Sequence, residues 1–110
     1  MSRIRSIHKT FWRSVQEPWA GARTNLYLVQ EGDDGPIKVG IAGHPFRRLS
    51  GLQSGNFRRL HMRAIYEGPP GACAQVERYL LKYFGTLGGE WLRADMDSVL
   101  KVLATFEEVQ

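Results

Sequence analysis

Tyr27, Lys38 and Arg48 put a phenol, an ammonium and a guanidinium into one short stretch of this chain, Leu26 to Gln53. The stretch reads Leu-Tyr-Leu-Val-Gln, an acidic glycine-rich turn, Ile-Lys-Val-Gly-Ile-Ala, and then Pro-Phe-Arg-Arg-Leu-Ser-Gly-Leu-Gln. Residues Glu31 to Pro36 suit a tight reversal, because glycine tolerates positive φ and Asp and Pro favour turn positions. A hairpin of this kind holds Tyr27 near Lys38 and leads directly into Arg48. Three such groups brought together suit an anion, most simply a phosphate.

The elements that must position them follow from spacing. Strands are expected over Asn25–Gln30 and Ile37–Ala42, with Gly40 and Gly43 leaving the backbone bare after Lys38. Pro45 suits the first turn of a helix running to about Ser54, with Leu49 and Leu52 inward and Arg48 at the edge of the buried face. Gly55-Asn56 ends it. A third strand is expected over His61–Glu67, with Met62, Ala64 and Tyr66 on one side and His61, Arg63 and Ile65 on the other. Gly68-Pro69-Pro70-Gly71 breaks the chain before a helix over Ala72–Phe84, whose apolar face carries Cys73, Val76, Leu80, Leu81 and Phe84. Glu77 follows Val76 in the middle turn of that helix. Gly85 and Gly88-Gly89 end it, and Glu90-Trp91-Leu92 is a short extended piece. Asp95 or Asp97 can cap a last helix that buries Val99, Leu100, Val102, Leu103 and Phe106. The expected fold is a small α/β (α+β) sandwich, a three-stranded, mainly antiparallel sheet flanked by helices.

Ahead of this domain, assigned to residues 23–110, lies a basic extension, residues 1–22, with Trp12 and Trp19. Ile4, Ile7, Phe11 and Val15 permit a short amphipathic helix ending before Pro18, expected to pack on the domain. Covering a partner protein, or adding basic groups to a nucleic-acid groove, are its other uses.

At 110 residues the chain has room for one core. No apolar run approaches the ~20 residues that span a bilayer, and the first residues lack the apolar centre of a secretory signal. Cys73 is the single cysteine, and no Cys/His spacing resembles a zinc site. A reducing, cytoplasmic setting is expected. The net charge of +4 is unevenly spread. Residues 36–66 hold Lys38, Arg47, Arg48, Arg58, Arg59 and Arg63 with no acid, whereas 30–35 and 67–110 are net acidic. A polyanion-facing surface has this distribution; a merely solvated face is the plainer reading.

The order of these pieces resembles the GIY-YIG nuclease superfamily, and within it the phage and bacterial branch often called T5orf172. Asn25-Leu26-Tyr27 stands at the first motif, with Tyr27 retained. Ile37-Lys38-Val39-Gly40 stands at the second, with Gly40 retained and Lys38 in place of the tyrosine. Pro45-Phe46-Arg47-Arg48-Leu49, followed by Leu52-Gln53-Ser54-Gly55, is similar to the arginine helix. Glu77 matches the metal-binding glutamate, and Gly89-Glu90-Trp91-Leu92 the closing segment.

The resemblance implies a metal-dependent endonuclease that nicks DNA with low intrinsic sequence specificity, or an inactive nucleic-acid-binding module of the same fold. Glu77 would hold Mg²⁺ or Mn²⁺, since such an ion keeps most of its waters and needs few carboxylates; otherwise it pairs with Arg78 or Lys82. Arg48 would contact the non-bridging phosphate oxygens. Tyr27 would act as general base, or orient the water, once nearby positive charge lowers its pKa from about 10. Lys38 would position Tyr27 or the water, and His44 could assist proton transfer or bind phosphate. Arg47, the better candidate for a surface ion pair, belongs with Arg58 and Arg59 to the backbone-contacting set, with Arg63 and Arg93 behind them. Glu90 is expected to be structural, beside Trp91, although it could supply a second carboxylate. A targeting or regulatory protein is a further expected partner, through the extension.

Overall fold

The computed structural model describes residues 13–15, 24–68 and 70–107. Among them lie strands β1 (Arg13–Val15), β2 (Thr24–Glu31), β3 (Ile37–Ala42), β4 (Leu60–Gly68), β5 (Thr86–Gly88) and β6 (Trp91–Leu92). Three helices, α1 (Pro45–Ser54), α2 (Pro70–Phe84) and α3 (Met96–Glu107), complete the set. The α+β class is as expected, but the sheet is larger than the expected three strands. Six strands lie in the order β1-β4-β2-β3-β6-β5, every pair antiparallel.

The three added strands are two or three residues long, too short to show a periodicity of their own. Part of the expected N-terminal helix is extended instead: Arg13–Val15 pairs with Glu67, Tyr66 and Ile65 of β4. The rest of that expectation, including Trp12 and Trp19, lies outside the described residues.

Strand alternation sends Leu26, Leu28, Ile37 and Val39 to one face, where Cys73, Val76 and Leu80 of α2 and Val99 and Leu103 of α3 meet them. Truncating one of these buried leucines to alanine costs about 2–5 kcal/mol. The opposite face carries Tyr27, Val29 and Leu60 under Leu49 and Leu52 of α1. Met62 belongs to this second face, away from Ala64 and Tyr66. The simple alternation expected for β4 fails because Leu28 pairs with Ala64 while Val29 pairs with Met62. Arg63 is the extra residue of this irregularity, and one inserted residue flips the side chains beyond it.

Pro45 starts α1 as expected. Asp95, rather than Asp97, caps α3: its Oδ1 accepts from the Ser98 N–H at 2.8 Å. That hydrogen bond holds the Asp95 carboxyl below its ordinary pKa.

Candidate active site

The site forms where the third strand loses its outer neighbour. On that side of β3, β6 pairs only with Ile37 and Lys38. The Val39 N–H then donates to the Glu90 carbonyl at 3.1 Å, and no described strand continues the ladder. Gly40, next in line, presents no side chain. Glu77, on the helix covering one face, comes within electrostatic reach of Tyr27 on the other.

Tyr27 and Gly40 are cross-strand partners. The Tyr27 ring lies across the bare glycine backbone, so that a methyl group on Gly40 would overlap the ring carbon Cζ and the hydroxyl. Tyr27 is buried, and the Arg48 guanidinium of α1 hydrogen-bonds its hydroxyl. Its pKa is nevertheless raised, not lowered as the sequence suggested. Burial disfavours the phenolate and outweighs the attraction of Arg48, while the charges of Glu90 and Glu77 push further in the same direction.

Lys38 shares Tyr27's face two residues along β3. Its Nζ lies 3.2 Å from Glu90 Oε1 and 5.5 Å from the centre of the Trp91 ring. The Glu90 carboxyl is in turn hydrogen-bonded to that of Glu77. Burial, that hydrogen bond and the neighbouring charge of Glu90 together raise the Glu77 pKa to about 7. Two carboxyls in hydrogen-bond contact share a proton below about pH 7, and above it a cation must balance their charges.

Tyr27, Lys38, Arg48 and Glu77 are thus brought together, and Glu90 joins them. The sequence leaves Glu90 between a structural place beside Trp91 and a second carboxylate, because a lone Glu before Trp has no pattern of its own. Positive φ at Gly88 (145°) and Gly89 (57°) turns β5 back into β6 and sets Glu90 beside Val39, a signal present in the Gly-Gly pair. Asn25 carries no sequence signal for its part in the site. It is buried, and its Nδ2 donates to the carbonyls of Ala42 (3.3 Å) and Gly43 (3.4 Å), fastening the turn that enters α1.

Of the remaining candidates, His44 and Arg47 adjoin the cluster through Arg48, and Arg58, Arg59 and Arg63 lie in other surroundings. His44 is exposed at the N-cap of α1, makes no side-chain cap, and lines an open pocket with Arg47 and Arg48. Arg58 lies 3.9 Å from Glu31 Oε1, and Arg59 lines a recess with Phe46, Leu49 and Gln53. Arg63 donates from Nε to Gln30 Oε1 at 3.0 Å, which commits it to the β2–β3 turn. Among the described residues no group of three or more His, Cys, Asp or Glu side chains converges. Two carboxyls side by side are the kind of donor that a hydrated hard dication takes, since such an ion keeps most of its waters.

In comparison with known proteins, no family model matches the chain, and neither a curated relative nor a solved structure matches it.

Proposed function

We propose that this protein is a divalent-metal-dependent endonuclease of the GIY-YIG kind, acting in the cytoplasm to nick DNA with low intrinsic sequence specificity. The observation that carries the reading is the convergence of Arg48, Tyr27, Lys38 and the Glu77–Glu90 pair around the open edge of β3. Phosphodiester hydrolysis needs a water aimed at phosphorus, compensation for charge on the non-bridging oxygens, and help for the leaving oxygen. Arg48 provides two parallel donors for the phosphate and already orients the Tyr27 hydroxyl. Tyr27, kept protonated by its surroundings, suits the role of orienting water better than that of a phenolate base. Glu77 and Glu90 would hold Mg²⁺ or Mn²⁺, which supplies Lewis acidity when bound. Lys38 balances Glu90 and adds positive potential beside Tyr27. His44 and Arg47 are set to contact phosphate through the pocket they share with Arg48, and Arg58 and Arg59 to contact backbone further along.

A second reading, an inactive nucleic-acid-binding module, is favoured by the raised pKa of Tyr27 and by the Lys38–Glu90 ion pair, which compete with base catalysis and with a metal. Incubating supercoiled plasmid with pure protein and Mg²⁺ or Mn²⁺ separates the two. The nuclease reading expects open circles from wild type, none from Glu77→Gln and far slower nicking by Arg48→Ala. Wild-type protein that binds plasmid yet leaves it supercoiled with either metal establishes the module instead.

A further inference from the structure

The loop joining α1 to β4 is held by a dense set of hydrogen bonds. Gln53 Nε2 donates to the carbonyls of Asn56 (3.3 Å) and Arg58 (2.9 Å), and its Oε1 accepts from the Leu60 N–H (2.7 Å). Asn56 Nδ2 donates to Glu31 Oε2 (3.1 Å) and to the Arg58 carbonyl (2.8 Å). The Gly32 N–H donates to the Arg59 carbonyl at 2.8 Å, tying the loop to the β2–β3 turn. From this braced loop Phe57 projects with 101% exposure. An isolated surface apolar group is ordinary, but a phenyl with no intramolecular cover, on a loop fastened so that it does not fold back, is a presented ring. Its sequence neighbours Arg58 and Arg59 are both exposed cations in a stretch (36–66) without an acid of its own, Arg58 lying 3.9 Å from Glu31 of β2.

We propose that Phe57 stacks on a nucleobase of bound nucleic acid while Arg58 and Arg59 hold the flanking phosphates. An exposed ring followed by two cations matches base stacking on a polyanion, which needs one aromatic face and positive charge. A protein hot spot would instead draw on an apolar surround, and Asn56, Arg58 and Arg59 do not supply one. The helix rise of about 1.5 Å per residue puts Ser54 about 9 Å beyond Arg48. With about 3.4 Å per nucleotide, the stacked base lies roughly three or more nucleotides from a phosphate at Arg48. The proposal rests on the nucleic-acid part of the function given above and not on hydrolysis.

The test is fluorescence anisotropy with labelled single- and double-stranded DNA oligonucleotides in EDTA, where no metal-dependent cutting occurs. Phe57→Ala is expected to weaken binding about ten- to hundredfold, Phe57→Trp to keep it, and both to melt like wild type. 2-Aminopurine placed along the oligonucleotide should change its emission on binding at one or two positions with wild type and at none with Phe57→Ala. Affinity of Phe57→Ala within twofold of wild type overturns the proposal, as does an equal loss in Phe57→Trp, or a loss of self-association in place of DNA binding. Tight, Phe57-dependent binding by a protein that never nicks plasmid upholds this inference and removes only the hydrolytic reading.

Discussion

The Tyr27 ring occupies the space that any side chain at Gly40 would need. One cross-strand pair therefore sets the position of the phenol and also keeps the neighbouring strand edge bare. Gly40→Ala should destabilise the fold by about 1–3 kcal/mol, the usual range for overpacking, and displace Tyr27. In a double-mutant cycle with Tyr27→Ala, most of the Gly40→Ala penalty should vanish, because the clashing ring is gone. Denaturant titrations of the four proteins give the coupling; purely additive losses would show that Gly40 acts through strand conformation alone.

Glu77 and Glu90 make a pH-dependent pair. The folded Glu77 pKa, about 7, is above the ordinary carboxyl value of 4.5. Its contribution is therefore fully present below pH 4.5 and is lost as pH rises through about 7. Metal-free protein should lose part of its stability across that window, and Glu90→Gln, which removes the neighbouring charge, should flatten the loss. Carbon-detected NMR of the Glu77 carboxyl gives the titration directly; a midpoint near 4.5 in wild type would refute the shared proton.

Mg²⁺ or Mn²⁺ should raise the melting temperature of wild-type protein more at pH 8 than at pH 6, because below about 7 the ion must displace a proton. Stabilisation by RT ln(1 + [L]/Kd) makes the shift a measure of affinity. Glu77→Gln should abolish it. A shift unchanged in that variant would locate metal binding elsewhere.

Tyr27→Phe keeps the ring over Gly40 and removes the hydroxyl. It should fold normally and nick more slowly, while Arg48→Ala should lose about 10²–10³-fold in rate, as expected for a donor to developing charge. Because the Tyr27 pKa is raised above 10, the wild-type pH–rate profile should contain no phenolate inflection between pH 6 and 9. Profiles of wild type and Tyr27→Phe should run parallel there.

Cys73 is buried, its thiol donating to the carbonyls of Thr24 (3.6 Å) and Gly68 (3.7 Å). Burial pushes its pKa to about 12. It should resist thiol reagents in the native state and react only on unfolding. Mass spectrometry after timed alkylation measures this, and prompt labelling of native protein would mean local opening between β4 and α2.

The chain's local patterns determined β2, β3, β4, α1 and α2 to within two residues at each end, since glycine-rich turns, Pro45 and apolar spacing act over a few neighbours. The same local chemistry placed Tyr27, Lys38 and Arg48 around one hairpin. Long-range pairing decided the rest. Strands as short as β1, β5 and β6 exist only because a partner edge offers hydrogen bonds, and the irregularity at Arg63 that turned Met62 over depends on its pairing with β2. Burial reversed the direction of the Tyr27 pKa, because the cost of desolvation depends on what packs around a group and not on its sequence neighbours. Glu90 joined Glu77 for a similar reason: β6 begins only at Trp91, so β3 is left open at Gly40, and the carboxyl of a helix on one face meets a loop residue at the sheet's edge.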